Sequence, residues 1–293
     1  MVCLLPVASG KGGVGKSVIA ANLGIALAEG GRTVVLVDLD LGGSNLHTFF
    51  GLRNKHPGIG DFVWKRERTI GDLLVETGYE RLWLVPGDGL LPATAALDWF
   101  AKTRLLKQLA LLPADFVILD LGAGSSFNVV DFFLASDEGL LVVKPEITSV
   151  LNAYAFLKTT AYRLISRVFP ERSPAREELR TFASTKTEGA GTTFLDFARA
   201  LGERHQKGSE ALERLTRFKP RIVMSMCKEG EDGILEAKLQ AISAKNLGIH
   251  LEVAGRIDAD PALEASVAAR RPLVAADPGS PFSRGIVELA ARI

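Results

Sequence analysis

Along this chain, short unbroken apolar runs alternate with stretches whose apolar residues recur every three or four positions. The runs are VCLLPVAS (2–9), TVVLVD (33–38), RLWLVPG (81–87), DFVILDLG (115–122), GLLVVKP (139–145), RIVMSM (221–226), LEVAGRI (251–257) and RPLVAAD (271–277). Runs that do not alternate apolar with polar suit strands covered on both faces. Their alternation with helical stretches predicts an α/β fold: a doubly wound, mainly parallel sheet of about seven or eight strands with helices on both faces. Pro6 is the one discord, because proline has no N–H to give to a central ladder. The first helix is expected from about Gly15 to Glu29, with Ile19, Leu23, Ala26 and Leu27 as its apolar stripe and Gly30-Gly31 as its stop.

Residues 170–219 interrupt this rhythm with Pro, Gly and dense charge. They read as a helical, charge-rich insertion on the rim of a single domain spanning 1–293. The last stretch, SPFSRGIVELAARI, puts Phe282, Ile286, Leu289 and Ile293 on one helical face. A final helix packed on the sheet is the simpler reading, with membrane contact as the alternative.

Composition adds limits rather than direction. With 47% hydrophobic and 24% charged residues and a formal net charge of +1, the chain can bury a full core. It has no overall electrostatic pull toward nucleic acid, so a nucleic-acid partner is not expected. Cys3 and Cys227 are too far apart for a metal or iron–sulfur motif and are expected to be reduced core residues. No signal-peptide pattern and no long apolar span is visible, which favours the cytoplasm.

The chemistry concentrates in SGKGGVGKS, residues 9–17. Gly10, four residues, then Gly15-Lys16-Ser17 match the phosphate-binding loop G-x-x-x-x-G-K-[ST], here between an expected strand and helix. Glycines let backbone N–H groups turn inward on phosphate oxygens, and the helix N-terminus adds partial positive charge. In such a loop, which here comprises Gly10, Lys11, Gly12, Gly13, Val14, Gly15, Lys16, Ser17 and Val18, the terminal lysine reaches the β- and γ-phosphates and the hydroxyl ligates Mg²⁺. Two strands then deliver carboxylates to the same crevice, Asp38 and Asp40 from one and Asp120 from the other. An aspartate ending an apolar strand is placed to hold Mg²⁺ through a water. Gly122, Ala123 and Gly124 follow with backbone amides where a γ-phosphate would lie. The absence of an N-K-x-D guanine-reading stretch favours ATP over GTP; STKTE at 184–188 is not one.

One loop lysine suffices for phosphate, yet this loop carries two. The form K-G-G-V-G-K-S resembles the deviant Walker A loop of MinD/ParA ATPases, the SIMIBI class of P-loop NTPases. The stretch DLDLGGSN is similar to that family's first switch, and DLGAG matches the FlhG-like branch of MinD-like regulators of flagellar number and placement. The stretch KPEITSVLNAYAFLK, with Glu146 and Thr148 at its turn, looks like the FlhG strand and helix that follow. The resemblance implies a magnesium–ATP-dependent homodimer in which Lys11 crosses to the partner's nucleotide beside Lys16. It implies that Asp40 orients the attacking water and that Asp38 supports a magnesium shell shared with Ser17, Asp40 and Asp120. Asn45 would lie near the γ-phosphate, while Ser225, Ile257, Asp258 and Pro261 stand where such chains frame adenine. In related chains an asparagine stands at the position of Ser225, and Asp258 or Asp260 serves equally as a helix cap. The implied function is a slow, partner-stimulated ATPase switch in spatial organisation, with a protein partner of unknown identity and contact with the inner face of the cell membrane left open. A ParA-like DNA-partitioning ATPase and an ATP-dependent metabolic ligase on the same scaffold are the alternatives.

Overall fold

In a computed structural model, residues 2–53, 55–64, 69–87, 97–184, 191–228, 230 and 233–293 are described. Eight strands form one sheet: β1 (Cys3–Ser9), β2 (Val34–Leu39), β3 (Val75–Glu76), β4 (Leu82–Val85), β5 (Phe116–Ala123), β6 (Leu140–Val143), β7 (Arg221–Cys227) and β8 (Glu252–Asp258). Their spatial order is β3-β4-β2-β5-β1-β6-β7-β8. Every pairing is parallel except the short β3–β4 edge, so the doubly wound parallel sheet expected from the pattern is present. β3 has only two residues, too few to leave a run in the sequence. Pro6 sits in the central strand and pairs with Leu119, while the ladder to β6 begins only at Val7, one residue after the missing N–H.

The reason the strands lack alternation is visible in their two faces. Leu5, Val7, Val34, Leu36 and Ile118 point into one apolar layer, and Val35, Val37, Val117, Leu119 and Leu141 into the other. Both sides are dry, so both parities must be apolar. The first layer is closed by α1 (Lys16–Glu29), α11 (Leu273–Ala276) and α12 (Pro281–Ala291). The second is closed by α3 (Trp99–Leu109), α4 (Phe127–Phe133), α5 (Ile147–Ser166), α7 (Phe194–Arg204), α8 (Gly208–Arg217) and α9 (Ile234–Leu247). Short helices α2 (Ile59–Val63) and α10 (Ala262–Ala268) and helix α6 (Pro174–Ser184) complete the described set.

Three expectations need correction. RPLVAAD is not a strand: Leu273–Ala276 is a helical turn entered from Pro272, and its Val274 N–H donates to Asn22 Oδ1 on α1 at 2.9 Å. Packing on α1 decides that outcome. α1 is buried beyond a single stripe, because Ala20, Ala21, Gly24 and Ala28 are small enough for neighbours to close over them. Cys227 is buried, but Cys3 is exposed, since it opens β1 at the rim of the sheet.

In the 170–219 region three helices, α6, α7 and α8, stand where helical insertion was expected, and Leu179, Leu201 and Leu215 join the core beside α5 and α9. Residues 185–190, and with them most of STKTE, lie outside the described residues. The final helix buries Phe282, Ile286 and Leu289 against β8 and α1. No described helix is long and apolar enough to cross a membrane.

Candidate functional site

The C-terminal ends of β1, β2 and β5 meet in the middle of the sheet, and the chemistry-bearing residues sit there. β1 runs into the glycine-rich loop, whose last residue, Gly15, has φ 84°, and Gly13 has φ 75°. Both are left-handed conformations that L side chains avoid. Gly10 is small for another reason: a Cβ there would run into the backbone carbonyl of Asn152 on α5. The loop is therefore pressed against α5 at its start and turned inward at its end. Ser9 Oγ donates to the Lys11 carbonyl at 2.9 Å and holds the first turn.

Lys16 opens α1 with its side chain inside the protein. Its Nζ lies 2.5 Å from Asp120 Oδ1 and 3.3 Å from Ser17 Oγ. Parallel register places Asp38 on β2 directly beside Asp120 on β5. Asp38 is held on both oxygens: Ser44 Oγ donates to Oδ2 at 2.7 Å, Leu46 N at 3.0 Å, and Asp40 N donates to Oδ1 at 3.1 Å. Burial, and then the neighbouring Asp120 charge, push the Asp38 carboxyl up to about 6 in spite of those donors. Burial also raises Asp120 against the pull of Lys16. Two buried carboxylates lie side by side and only Asp120 holds an ammonium; that surplus of oxygen-borne negative charge is what a hard divalent cation neutralises. Asp40 is half-buried at the mouth. A Cβ on Gly122 would come within 3.3 Å of Asp40 Oδ1, so the absence of a side chain at Gly122 gives that carboxylate its place. Gly122, Ala123 and Gly124 form the opposite lip. Gly124 is left-handed (φ 85°) and its N–H is already committed to the Ser9 carbonyl at 2.9 Å. Asn45 is exposed, its amide donating to the Gly43 carbonyl at 2.8 Å.

Lys11 points elsewhere. Its ammonium donates to Glu146 Oε2 at 3.0 Å and to Thr148 Oγ1 at 3.1 Å, and its side chain is 29% exposed. The two loop lysines thus divide: Lys16 faces inward to the carboxylates and Lys11 faces outward across the surface. Glu146 sits below its ordinary pKa, chiefly through the Lys11 hydrogen bond and charge and then that of Lys144.

Beside Gly15 lies a mostly apolar cleft of about 810 Å³ whose walls include Val14, Val18, Met226, Ile257, Pro261 and Leu263. Its volume falls within the range of small-molecule sites. Ser225 and Asp258 also line it. The Ser225 hydroxyl is spent, however, donating to the Val14 carbonyl at 2.7 Å, and so ties β7 to the phosphate loop. Met226 is bulged out of the β7–β8 register with φ 54°, a conformation that costs a residue with a Cβ about 1–3 kcal/mol. Asp260, rather than Asp258, supplies the turn, accepting from Ala262 N at 2.9 Å.

Sequence reasoning missed three residues that hold this site. Ser44 positions Asp38, and Asn22 couples α1 to α11. Asp131, 2% exposed, anchors the helix that follows the Gly122–Gly124 lip. Lys102 Nζ donates to its Oδ2 at 2.5 Å, Arg163 Nε to its Oδ1 at 2.6 Å and Arg167 Nη2 to its Oδ1 at 2.7 Å. A lone acid inside FNVVDFF was a readable sign of a buried paired carboxylate; nothing local marked Ser44 or Asn22.

With this geometry in hand, known proteins are informative. A family model described as the CobQ/CobB/MinD/ParA nucleotide binding domain matches residues 5–269. The chain is 34% identical over 168 residues to the antiactivator FleN of Pseudomonas aeruginosa, covering 54% of this chain and 56% of that protein. It is 33% identical over 162 residues to the flagellum site-determining protein YlxH of Helicobacter pylori, covering 53% and 52%. These matches therefore span about half the length of each relative. An uncharacterized ATP-binding protein of Methanocaldococcus jannaschii aligns over 100% of this chain and 88% of its own length at 26% identity. Among solved structures, MinD of Pyrococcus horikoshii with Mg-ADP superposes with a TM-score of 0.64 at 20% identity, covering 99% and 95% of the two chains. A ParA family ATPase of Chlorobium tepidum gives 0.66 at 19% identity, covering 99% of each. At these identities the structures speak for the fold.

Proposed function

We propose that this chain, which belongs to the CobQ/CobB/MinD/ParA nucleotide-binding family, is an ATP-driven dimerising switch in spatial organisation, such as flagellar number and placement or division-site positioning. The observation that carries the reading is the division of labour between the two loop lysines. Lys16 is buried on Asp120, where a bound triphosphate would take it over. Lys11 lies outside that crevice at the surface, where exchanging Glu146 and Thr148 for phosphate oxygens would let it reach a neighbouring molecule. The similarity to the flagellum site-determining protein YlxH and the septum site-determining protein MinD of Helicobacter pylori supports a positioning role.

In this reading Ser17 and Asp120, with Asp38 and Asp40 in the surrounding shell, would hold Mg²⁺, which would supply charge neutralisation for in-line phosphoryl displacement. Lys16 exchanges Asp120 for phosphate oxygens, which frees the Asp120 carboxylate for its share of the shell. Ser44 and the Leu46 N–H keep Asp38 aimed and the first switch folded. Asp40, held beside Gly122 at the mouth, orients the attacking water. The cleft formed by Val14, Met226, Ile257 and Pro261 receives the adenine by apolar contact, since the Ser225 hydroxyl is already engaged. Moving a two-state population from 1:99 to 99:1 takes about 5.5 kcal/mol. Charge-assisted hydrogen bonds contribute about 1.5–3 kcal/mol each, so Lys11 from each protomer with new contacts from the DLDLGGSN and DLGAG segments would be enough to drive association.

The test is the oligomeric state by light scattering with ATP, for the parent chain and for Asp40→Ala, Lys11→Ala and Lys16→Ala, followed by partner capture. Asp40→Ala should retain ATP, stay dimeric and lose turnover. Lys11→Ala should bind ATP as a monomer, and Lys16→Ala should bind neither nucleotide nor partner. A parent chain that remains monomeric with ATP, or an Asp40→Ala protein that retrieves the same partners as Lys16→Ala, overturns the switch reading.

A further inference from the structure

A second anion site is built into the opposite layer, away from the phosphate loop. Between α5 and α8 lies a cavity of about 270 Å³ lined by Leu134, Asp137, Leu164, Arg167, Arg214 and Arg217. Three guanidinium groups converge on it against one carboxylate. Arg167 is preorganised, because its Nη2 is pinned to Asp131 Oδ1 at 2.7 Å, and no bond from its Nε or Nη1 is seen among the described residues. Arg214 leans on Glu210 at 2.9 Å, one turn back on α8. Arg217 has no ion-pair or hydrogen-bond partner among the described residues.

Behind Arg167 the positive charge continues. Asp131 is shared by Lys102, Arg163 and Arg167, so one carboxylate answers three cations. At the cavity itself Arg167, Arg214 and Arg217 stand against Asp137, with Arg167 also held on Asp131 and Arg214 on Glu210. Burial and then repulsion from Arg163 and Arg214 depress Arg167 in spite of Asp131. An anion seated among arginines that line one cavity is attracted by each of them.

We propose that this cavity between α5 and α8 binds a phosphate group through Arg167, Arg214 and Arg217. Guanidinium forks match the edges of a tetrahedral oxyanion with paired N–H groups. The volume lies below the ~300–1,000 Å³ of sites that enclose drug-sized ligands. It therefore suits a terminal phosphate or pyrophosphate and not a whole nucleotide. The proposal does not depend on the dimer reading, because none of these side chains reaches the phosphate loop.

The experiment uses the full chain with its phosphate loop first saturated by Mg-ADP, then titrates sodium pyrophosphate calorimetrically at constant ionic strength, with potassium chloride as the control. Saturable binding at one site per chain is expected. Loss of one charged donor should weaken it at least about tenfold in Arg217→Gln and in Arg214→Gln, while Arg199→Gln, a surface change on α7, leaves it unchanged. Both arginines lie at the surface, so melting temperatures near the parent value show that the variants are folded. A parallel arm sediments the protein with phosphatidate or phosphatidylcholine vesicles. Arginine-dependent capture by phosphatidate without pyrophosphate binding assigns the phosphate to a lipid headgroup, and the converse assigns it to a soluble metabolite. No saturable binding in either arm, or binding that Arg214→Gln and Arg217→Gln leave intact, overturns the site.

Discussion

Asp131→Asn is the sharpest test of how the helix behind the phosphate lip is held. The carboxylate is 2% exposed and receives Lys102 at 2.5 Å, Arg163 at 2.6 and 2.9 Å, and Arg167 at 2.7 Å. Asparagine keeps the shape but removes the charge, and its amide nitrogen faces donors. Removing one partner of a buried ion pair typically costs about 3–5 kcal/mol. Arg163 and Arg167 keep side-chain exposures of 23% and 32%, so water recovers part of that, and about 3 kcal/mol is expected. For a chain of this size that corresponds to a fall of about 6–10 °C in melting temperature.

The pH dependence has a definite sign. Burial pushes the Asp131 carboxyl upward, but hydrogen bonds from Arg163 and Lys102 and the arginine charges outweigh it and hold the group below its ordinary 3.8. A depressed carboxylate contributes stability above its unfolded pKa and loses it as pH falls through the folded value. The gap between the parent and Asp131→Asn should therefore be full at neutral pH and close below about pH 4. Urea denaturation of both proteins across this range measures it. A double-mutant cycle with Lys102→Met should return a coupling of about 1–3 kcal/mol. An Asp131→Asn protein within about 0.5 kcal/mol of the parent, or a gap that persists undiminished in acid, refutes the reasoning.

Three further outcomes follow from packing at the site and the chain's end. Gly10→Val forces the loop off the Asn152 carbonyl, and overpacking of this kind costs about 1–3 kcal/mol; nucleotide affinity should fall while the circular dichroism spectrum is retained, and unaltered affinity would contradict the close approach. Ser225→Ala leaves the buried Val14 carbonyl without its donor and should cost about 1–3 kcal/mol in urea denaturation. Its relative affinity for ATP and GTP in competition binding should equal the parent's, because the hydroxyl is spent on the Val14 carbonyl. Ile286→Ala, fully buried on the last helix, should lose about 2–5 kcal/mol, and a melting temperature equal to the parent's would mean that the helix is not docked.

Local chemistry made much of this protein readable in the sequence. A glycine-rich loop between an apolar strand and a helix needs left-handed residues at its turn, and Gly13 and Gly15 supply them. Strands covered on both faces must be apolar at both parities, so seven of the eight runs were visible as strands. RPLVAAD has the same composition as those runs and is helical, because a short apolar segment takes its conformation from what it packs against, here α1 through Asn22. The pairing of Asp38 with Asp120, the outward turn of Lys11 toward Glu146, the capture of the Ser225 hydroxyl by Val14 and the gathering of three cations on Asp131 join residues far apart in the chain. Each depends on strand order and helix placement, which the whole molecule's burial of apolar surface selects and no local spacing encodes.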